Sequence, residues 1–190
     1  MAGLTAAFKE WAIAVEALLS GDLILLLRKG GLREKAGQLQ VQVGNRGGLL
    51  PTLEHQRPHL LKSPWQEQAV LASPDRPRPT ALTLQGWADI THVQPLRDAA
   101  QVERLTPCHI WTSQWVQERM AWQPERPIYL LLLRVYRLPQ PQTVPYHPTY
   151  GGCRSWVTLQ TEVATADSQT VLSETDYQQR VTAISRLLGT

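Results

Sequence analysis

The run Ile128-Tyr-Leu-Leu-Leu-Leu133 constrains this chain most. It continues through Arg134-Val-Tyr-Arg-Leu138 into a stretch with prolines at 139, 141, 145 and 148. Apolar residues occupy both parities of Leu130–Leu133. A strand with that pattern is covered on both faces, so the fold must place a layer on each side of a central sheet. The chain has 190 residues, and one of about 150 already hides roughly two-thirds of its unfolded surface. With 43% hydrophobic residues, disorder of the whole chain is excluded.

The remaining segments predict an α+β chain. Thr5 is placed to cap a helix over about 6–19, with Phe8, Ala12, Val15, Leu18 and Leu19 on one stripe and Gly21 as its stop. Asp22–Lys29 reads as a buried strand. Leu39–Val43 reads as a half-exposed strand in a hairpin with it, around the polar, basic loop 32–38 and the turn Gly30-Gly31. Leu49-Leu50 resume a strand after the turn 44–48. Pro58 breaks any helix after Thr52, and prolines 64, 74, 77 and 79 make 63–80 an irregular surface insertion. Ala81–Leu96 reads as a strand with a bulge or bend at Gly86, and Asp98–Leu105 as a short helix. Thr112 or Ser113 caps a helix that stops before Pro124. Ile128–Leu138 is the central strand and Ser155–Thr161 another. Ser173 caps a last helix with Tyr177, Val181, Ile184 and Leu188 on one face. Strands and helices do not alternate. That disfavours a doubly wound sheet and predicts α+β, with a small, mixed, partly closed β-barrel and flanking helices. Residues 1–160 are expected to form one domain, and 161–190 a linker and a helix packed on it.

Lys and Arg exceed Asp and Glu by 19 to 16, a net charge of +3. The surplus permits contact with phosphates without demanding it. Two cysteines, Cys108 and Cys153, make neither a disulfide scaffold nor the paired spacing of a zinc site. They are expected to be reduced thiols, with Cys153 buried and inert. No basic n-region precedes the apolar N-terminus, and no run approaches the roughly 20 apolar residues of a membrane span. A soluble, cytoplasmic protein without membrane contact is the expectation.

Several groups of residues carry chemistry. Arg28, Lys29, Arg33 and Lys35 flank Gly30-Gly31, so cations stand beside exposed backbone N–H groups, an arrangement that cradles phosphate or carboxylate. The alternative is a solvated basic hairpin tip balanced by Glu34. His55 and His59 are four apart, but the glutamate, Glu54, precedes the first histidine, and Pro58 interrupts the helix. No metal site and no cofactor are expected there. Glu54 and His55 read as a polar pair, able to do acid–base work. Trp111, Trp115 and Trp122 share one side of a helix with Glu118, either as core or as a base-stacking platform. A carboxylate among tryptophans needs a partner, for which Arg134 and Arg154 are candidates. Past the central strand, Arg134, Tyr146, His147, Tyr150, Arg154 and Trp156 offer guanidinium and aromatic surfaces around Gly151-Gly152. Such a set suits a nucleotide base or an RNA single strand, or else it wraps and packs on the core.

The strings FKEWAIAVEALLSGDLILLLRKGGLRE, LLPTLEHQRPHLLK, HIWTSQWVQERMAW and PIYLLLLRVYRLPQPQTVPYHPTYGGCRSWVTL resemble the domain-of-unknown-function family numbered 1802, which occurs widely in photosynthetic bacteria, cyanobacteria among them. The match covers about residues 7–160 and implies no activity. LLSGDLILLLRKGG, LQGWADITHVQPL and YLLLLRVYRLPQPQTV are also similar to strands of ASCH-type domains of the PUA-like class. That resemblance implies a small mixed barrel, often one that binds RNA or modified bases. Small ASCH-type amidohydrolases use a lysine, a threonine and a glutamate, for which Lys29, Thr52 and Glu54 are the counterparts here.

Three functional readings follow. The leading one is a module that binds RNA, DNA or a nucleotide-like ligand through Arg28, Lys29, Arg33, Arg134, Tyr146, Tyr150 and Arg154. The second is a small hydrolase of a modified nucleoside or amide, using Lys29, Glu54 and His55. The third is a scaffold or assembly protein that meets a protein partner through its tryptophans and its proline-rich loop.

Overall fold

In a computed structural model, which describes residues 3–29, 34–35, 38–39, 42–71, 79–152 and 154–189 (backbone alone at 34–35 and 38–39), the run at Ile128 is the spine of a mixed sheet. The chain runs β1 (Leu4–Trp11), α1 (Ala12–Ser20), β2 (Leu25–Arg28), the small pair β3 (Glu34–Lys35) and β4 (Gln38–Leu39), β5 (Arg46–Thr52) and α2 (Trp65–Leu71). It continues with β6 (Ala81–Leu96), α3 (Ala99–Arg104), α4 (Ser113–Ala121), β7 (Ile128–Pro145), β8 (Trp156–Val163), β9 (Gln169–Thr170) and α5 (Glu174–Leu188). The seven-stranded sheet follows the path β2-β7-β6-β5-β1-β8, with β9 on β7 beyond β2. Its β1–β5 pair is parallel and its other ladders are antiparallel. The α+β class is as expected. Closure into a barrel is not seen in the pairing: β2 and β8 end the path, and no ladder among the described residues joins them.

Strand β6 has the bounds its sequence predicts, and its ladder with β7 runs from Leu96↔Ile128 to Ala81↔Pro145. The register shifts between Leu84 and Gly86, so Leu138–Pro141 of β7 face Gln85 alone. Pro139 and Pro141 fall in that bulge, where no ladder N–H is required. The central strand, expected to end at Leu138, therefore continues through these prolines to Pro145. Gly86 sits at the same place because the backbones crowd there. A Cβ on it would meet the Tyr136 carbonyl oxygen and Leu19 Cδ2, each at 2.5 Å.

Two helix expectations are corrected. Residues 4–11, of which Thr5 was expected to cap the first helix and 6–11 to begin it, are strand β1, held between parallel β5 and antiparallel β8. An interior strand is buried on both faces, so its apolar residues imitate a helical stripe. Phe8 packs edge-on to Trp156 at 4.6 Å from one such face. The helix begins at Ala12 and ends where expected, at Gly21 with φ 85°. Within 63–80, Trp65–Leu71 is a helix instead of irregular chain, and Pro64 supplies the fixed φ suited to a helix start. Residues 72–78 lie outside the described residues, as do Gly30, Gly31 and most of the loop expected to close the first hairpin. The predicted caps Thr112 and Ser173 accept backbone N–H groups, and Asp98, expected as the first residue of its helix, caps it instead.

Neighbouring residues divide between two apolar layers. Phe8, Leu49 and Ala88 join the layer of α1, α4 and α5, while Ala7, Leu50 and Trp87 join the layer closed by Tyr150 and β8. Tyr177, Val181, Ile184 and Leu188 bury the predicted face of α5 in the first layer. Among the described residues, no helix is long and apolar enough to cross a membrane.

His109 lies in this structure at 5% exposure. Burial, helped by the Lys62 ammonium, pushes its imidazole down to about 3. The unfolded chain takes up that proton near an ordinary pKa of about 6.5. As pH falls below that value the unfolded state binds a proton the folded state refuses. Stability is then lost progressively until pH approaches about 3. Between pH 7 and pH 5 the expected loss is about 2 kcal/mol. The carboxylates with lowered pKa, Glu54 and Glu118, act below that window. Urea denaturation at the two pH values should show His109→Leu losing little of this stability; an unchanged loss in the variant would assign the slope elsewhere.

Candidate functional site

The parallel strands β1 and β5 end side by side, with Trp11 opposite Thr52. Carboxyl ends of parallel strands leave a crevice where the chain departs in different directions. Here a cleft of about 690 Å³ opens, walled by the end of β2, the loop 52–57, α4 and the segment 152–155.

Its floor is built from two ion pairs. Lys9, 7% exposed, donates through Nζ to Glu54 Oε2 at 2.6 Å and to the Gly152 carbonyl at 2.9 Å. The Lys9 hydrogen bond holds the Glu54 carboxyl below the usual carboxylate range, against some desolvation. Arg28 Nη2 meets Glu10 Oε2 at 2.6 Å and donates to the Lys9 carbonyl at 2.9 Å. The other Glu10 oxygen accepts the Trp11 N–H at 2.8 Å. Lys9, Arg28 and Glu10 are largely desolvated while Glu54 is 35% exposed, and each charge has a partner within hydrogen-bond reach, as burial requires.

Lys29 follows on β2 and turns to the opposite wall. Its ammonium donates to the Met120 carbonyl in the last turn of α4 at 2.9 Å. That is the helix end whose carbonyls lack partners and whose dipole favours a cation. Burial lowers the Lys29 pKa, opposed by Glu125 and assisted by Arg119. On α4, Trp115 stacks on Trp111 at 4.8 Å and 19°, and the Arg119 guanidinium lies over Trp115 at 5.3 Å. Trp111 and Trp115 are core, whereas Trp122 is 48% exposed at the mouth.

Glu118 pairs with Arg57, and not with Arg134 or Arg154 as expected from the sequence. The reason is topological: the loop after β5 passes beside α4. Likewise Glu54 takes its partner from β1, so the expected Glu54–His55 pair does not form. His55 is exposed, with its backbone left-handed at φ 59°, and it lines the cleft. Arg154 is exposed; among the described residues no side-chain or backbone acceptor takes its guanidinium. Among the described residues no group of three or more His, Cys, Asp or Glu is placed for a metal.

The cleft thus gathers Arg28, Lys29, Glu54, His55 and Arg154 of the residues singled out from sequence. It does not gather Arg134, which sits under α5 with its Cζ 4.8 Å from the Tyr177 ring and its nitrogens on the Ser173 carbonyl and Glu174. Nor does it gather Tyr150, buried with its hydroxyl accepting the Gln160 N–H at 2.7 Å, or Tyr146, set edge-on to Tyr150. Arg33 and Cys153 lie outside the described residues. Lys9, Glu10, Trp11, Arg57 and Arg119 were missed from sequence. The one signal for the first three was a Lys-Glu pair inside an apolar strand-like run, obscured by reading that run as helix.

The lining holds six cationic side chains (Lys9, Arg28, Lys29, Arg57, Arg119, Arg154) and three carboxylates (Glu10, Glu54, Glu118), a surplus of three. That equals the net charge of the whole chain. Four of the seven tryptophans line the same space.

A family model described as "Domain of unknown function (DUF1802)" matches residues 7–183. No curated protein matches the chain. Among solved structures, ASCH from Zymomonas mobilis is similar at 13% identity, covering 94% of this chain and 93% of that one, with a TM-score of 0.46. Two point variants of the same protein give TM-scores of 0.47 and 0.45, also at 13% identity, covering 94% and 96% of this chain and 96% and 99% of theirs.

Proposed function

We propose that this chain, which belongs to the DUF1802 family, binds single-stranded nucleic acid or a nucleotide-like ligand in the cleft at the ends of β1 and β5. The observation that carries the reading is the convergence of Arg28, Lys29 and Arg154 with the half-buried Trp11 and the exposed Trp122 in one open space, on a wall backed by the core residues Trp111 and Trp115. Cations attract the phosphate and aromatic faces take unstacked bases, whose stacking is tolerant of sequence. Trp122 presents an exposed face and Arg154 an exposed guanidinium whose donors have no acceptor among the described residues. Titrating a fluorescein-labelled uridine decamer should give an affinity that falls about 20-fold between roughly 50 and 200 mM salt, if the three surplus charges each neutralise one phosphate of a single strand. Affinity independent of salt, or no binding at low salt, would overturn the reading.

A second reading has one observation in its favour. Glu54, Thr52 and a lysine do share the cleft, although the lysine on Glu54 is Lys9, while Lys29 is engaged by α4. A hydrolase built on this set would lose turnover in Glu54→Gln; full activity in that variant would exclude the role.

A further inference from the structure

We infer that Glu118 occupies the anion position of the cleft, holding Arg57 as a ligand phosphate would, and so sets the affinity of the site. The inference rests on the nucleic-acid reading above and adds to it a residue that opposes binding. Arg57 comes from the loop after β5 and Glu118 from α4, so their ion pair reaches from one wall to the other. Both side chains are accessible, at 50% and 38% exposure. Gln114 Nε2 donates to the second Glu118 oxygen at 3.1 Å, which orients the carboxylate toward Arg57. One helical turn further along the same face stands Trp122, the exposed stacking surface.

The pair is not needed to hold the walls together. Behind the cleft the same two segments are joined by the Lys62 N–H on the Ile110 carbonyl and the Thr112 N–H on the Leu60 carbonyl, both at 2.9 Å. An exposed ion pair between segments already joined contributes little to folding. What it does change is the field in the cleft. Glu118 takes the Arg57 guanidinium at Nη2 through one carboxylate oxygen, and Nη2 is part of the fork that would grip a phosphate. A phosphate that takes the whole fork must therefore displace Glu118 from Nη2 and approach a negative charge while doing so.

The test is a cycle of Glu118→Gln, Arg57→Ala and the double variant, read by anisotropy of the labelled uridine decamer at low salt. Gln keeps the shape and the Gln114 contact while removing the charge. The expected result is binding roughly threefold to tenfold tighter in Glu118→Gln, weaker in Arg57→Ala, and no tighter in the double variant than in Arg57→Ala. Unchanged melting temperatures would confirm that folding is untouched. If Glu118→Gln binds no more tightly than the wild type, the inference falls. It falls equally if the gain persists without Arg57, because Glu118 would then act only through net charge. Failure of the underlying reading looks different: neither the wild type nor any variant would bind the decamer.

Discussion

Glu10→Ala is expected to destabilise the protein by about 3–5 kcal/mol, the range for breaking a buried ion pair from one side. Arg28 is 12% exposed and Glu10 9% exposed. Without Glu10 the Arg28 guanidinium keeps only the Lys9 carbonyl as a described acceptor. A guanidinium keeps its charge in a protein interior. The variant must therefore bury an uncompensated charge or let β1 and β2 part at the cleft floor. Replacing both partners, Glu10→Leu with Arg28→Met, removes the charge along with its counter-charge. It should recover most of the loss, since a buried pair and a packed apolar pair are often near equal in stability. Urea denaturation of the two proteins decides it. A single variant within about 1 kcal/mol of wild type, or a double variant no better than the single, would mean that the pair is solvated in solution.

Trp111→Ala should cost about 3–5 kcal/mol, whereas Trp122→Ala should cost under about 1 kcal/mol. The two residues were candidates for one aromatic platform, yet the fold separates them. Trp111 is 2% exposed, stacks on Trp115 and pairs its backbone with Leu61. Its removal leaves a cavity behind the cleft wall and takes the stacking partner from Trp115. Trp122 lies past the end of α4 at 48% exposure. Its loss should appear in decamer affinity and barely in the melting temperature. Equal destabilisation by the two substitutions would show that the mouth of the cleft is packed and not open.

Local chemistry made part of this fold legible in advance. Thr112 and Ser173 cap helices through hydrogen bonds that reach three residues along the chain, so sequence alone suffices to place them. The period of α5 and the length of β6 are likewise carried by adjacent residues. Segment 4–11 was misread because its state is set by strands about 40 and 150 residues away in sequence, whose pairing overrides a weak local propensity. The central strand was expected to end at Leu138, before the prolines of 139–145, for a related reason. A bulge can absorb them only when the opposite strand is known to shift register.

The same division runs through the site. Arg28, Lys29, Glu54 and Arg154 were visible as charged residues beside glycines, turns and strand ends, which is a statement about residue type and neighbours. Which carboxylate meets which cation was not visible. Glu54 meets Lys9 across 45 positions and Glu118 meets Arg57 across 61. The sequence by itself determined that a two-face-buried strand lies at the centre, where the capped helices begin, and that basic and aromatic residues flank the core. Only the tertiary structure decided that β1 is a strand, that Lys9 and Glu10 face the cleft, and that Arg134 and Tyr150 serve the core. Periodicity and capping act over a few residues and are written in local order, whereas the pairing of buried charges depends on which distant segments hydrophobic packing brings together.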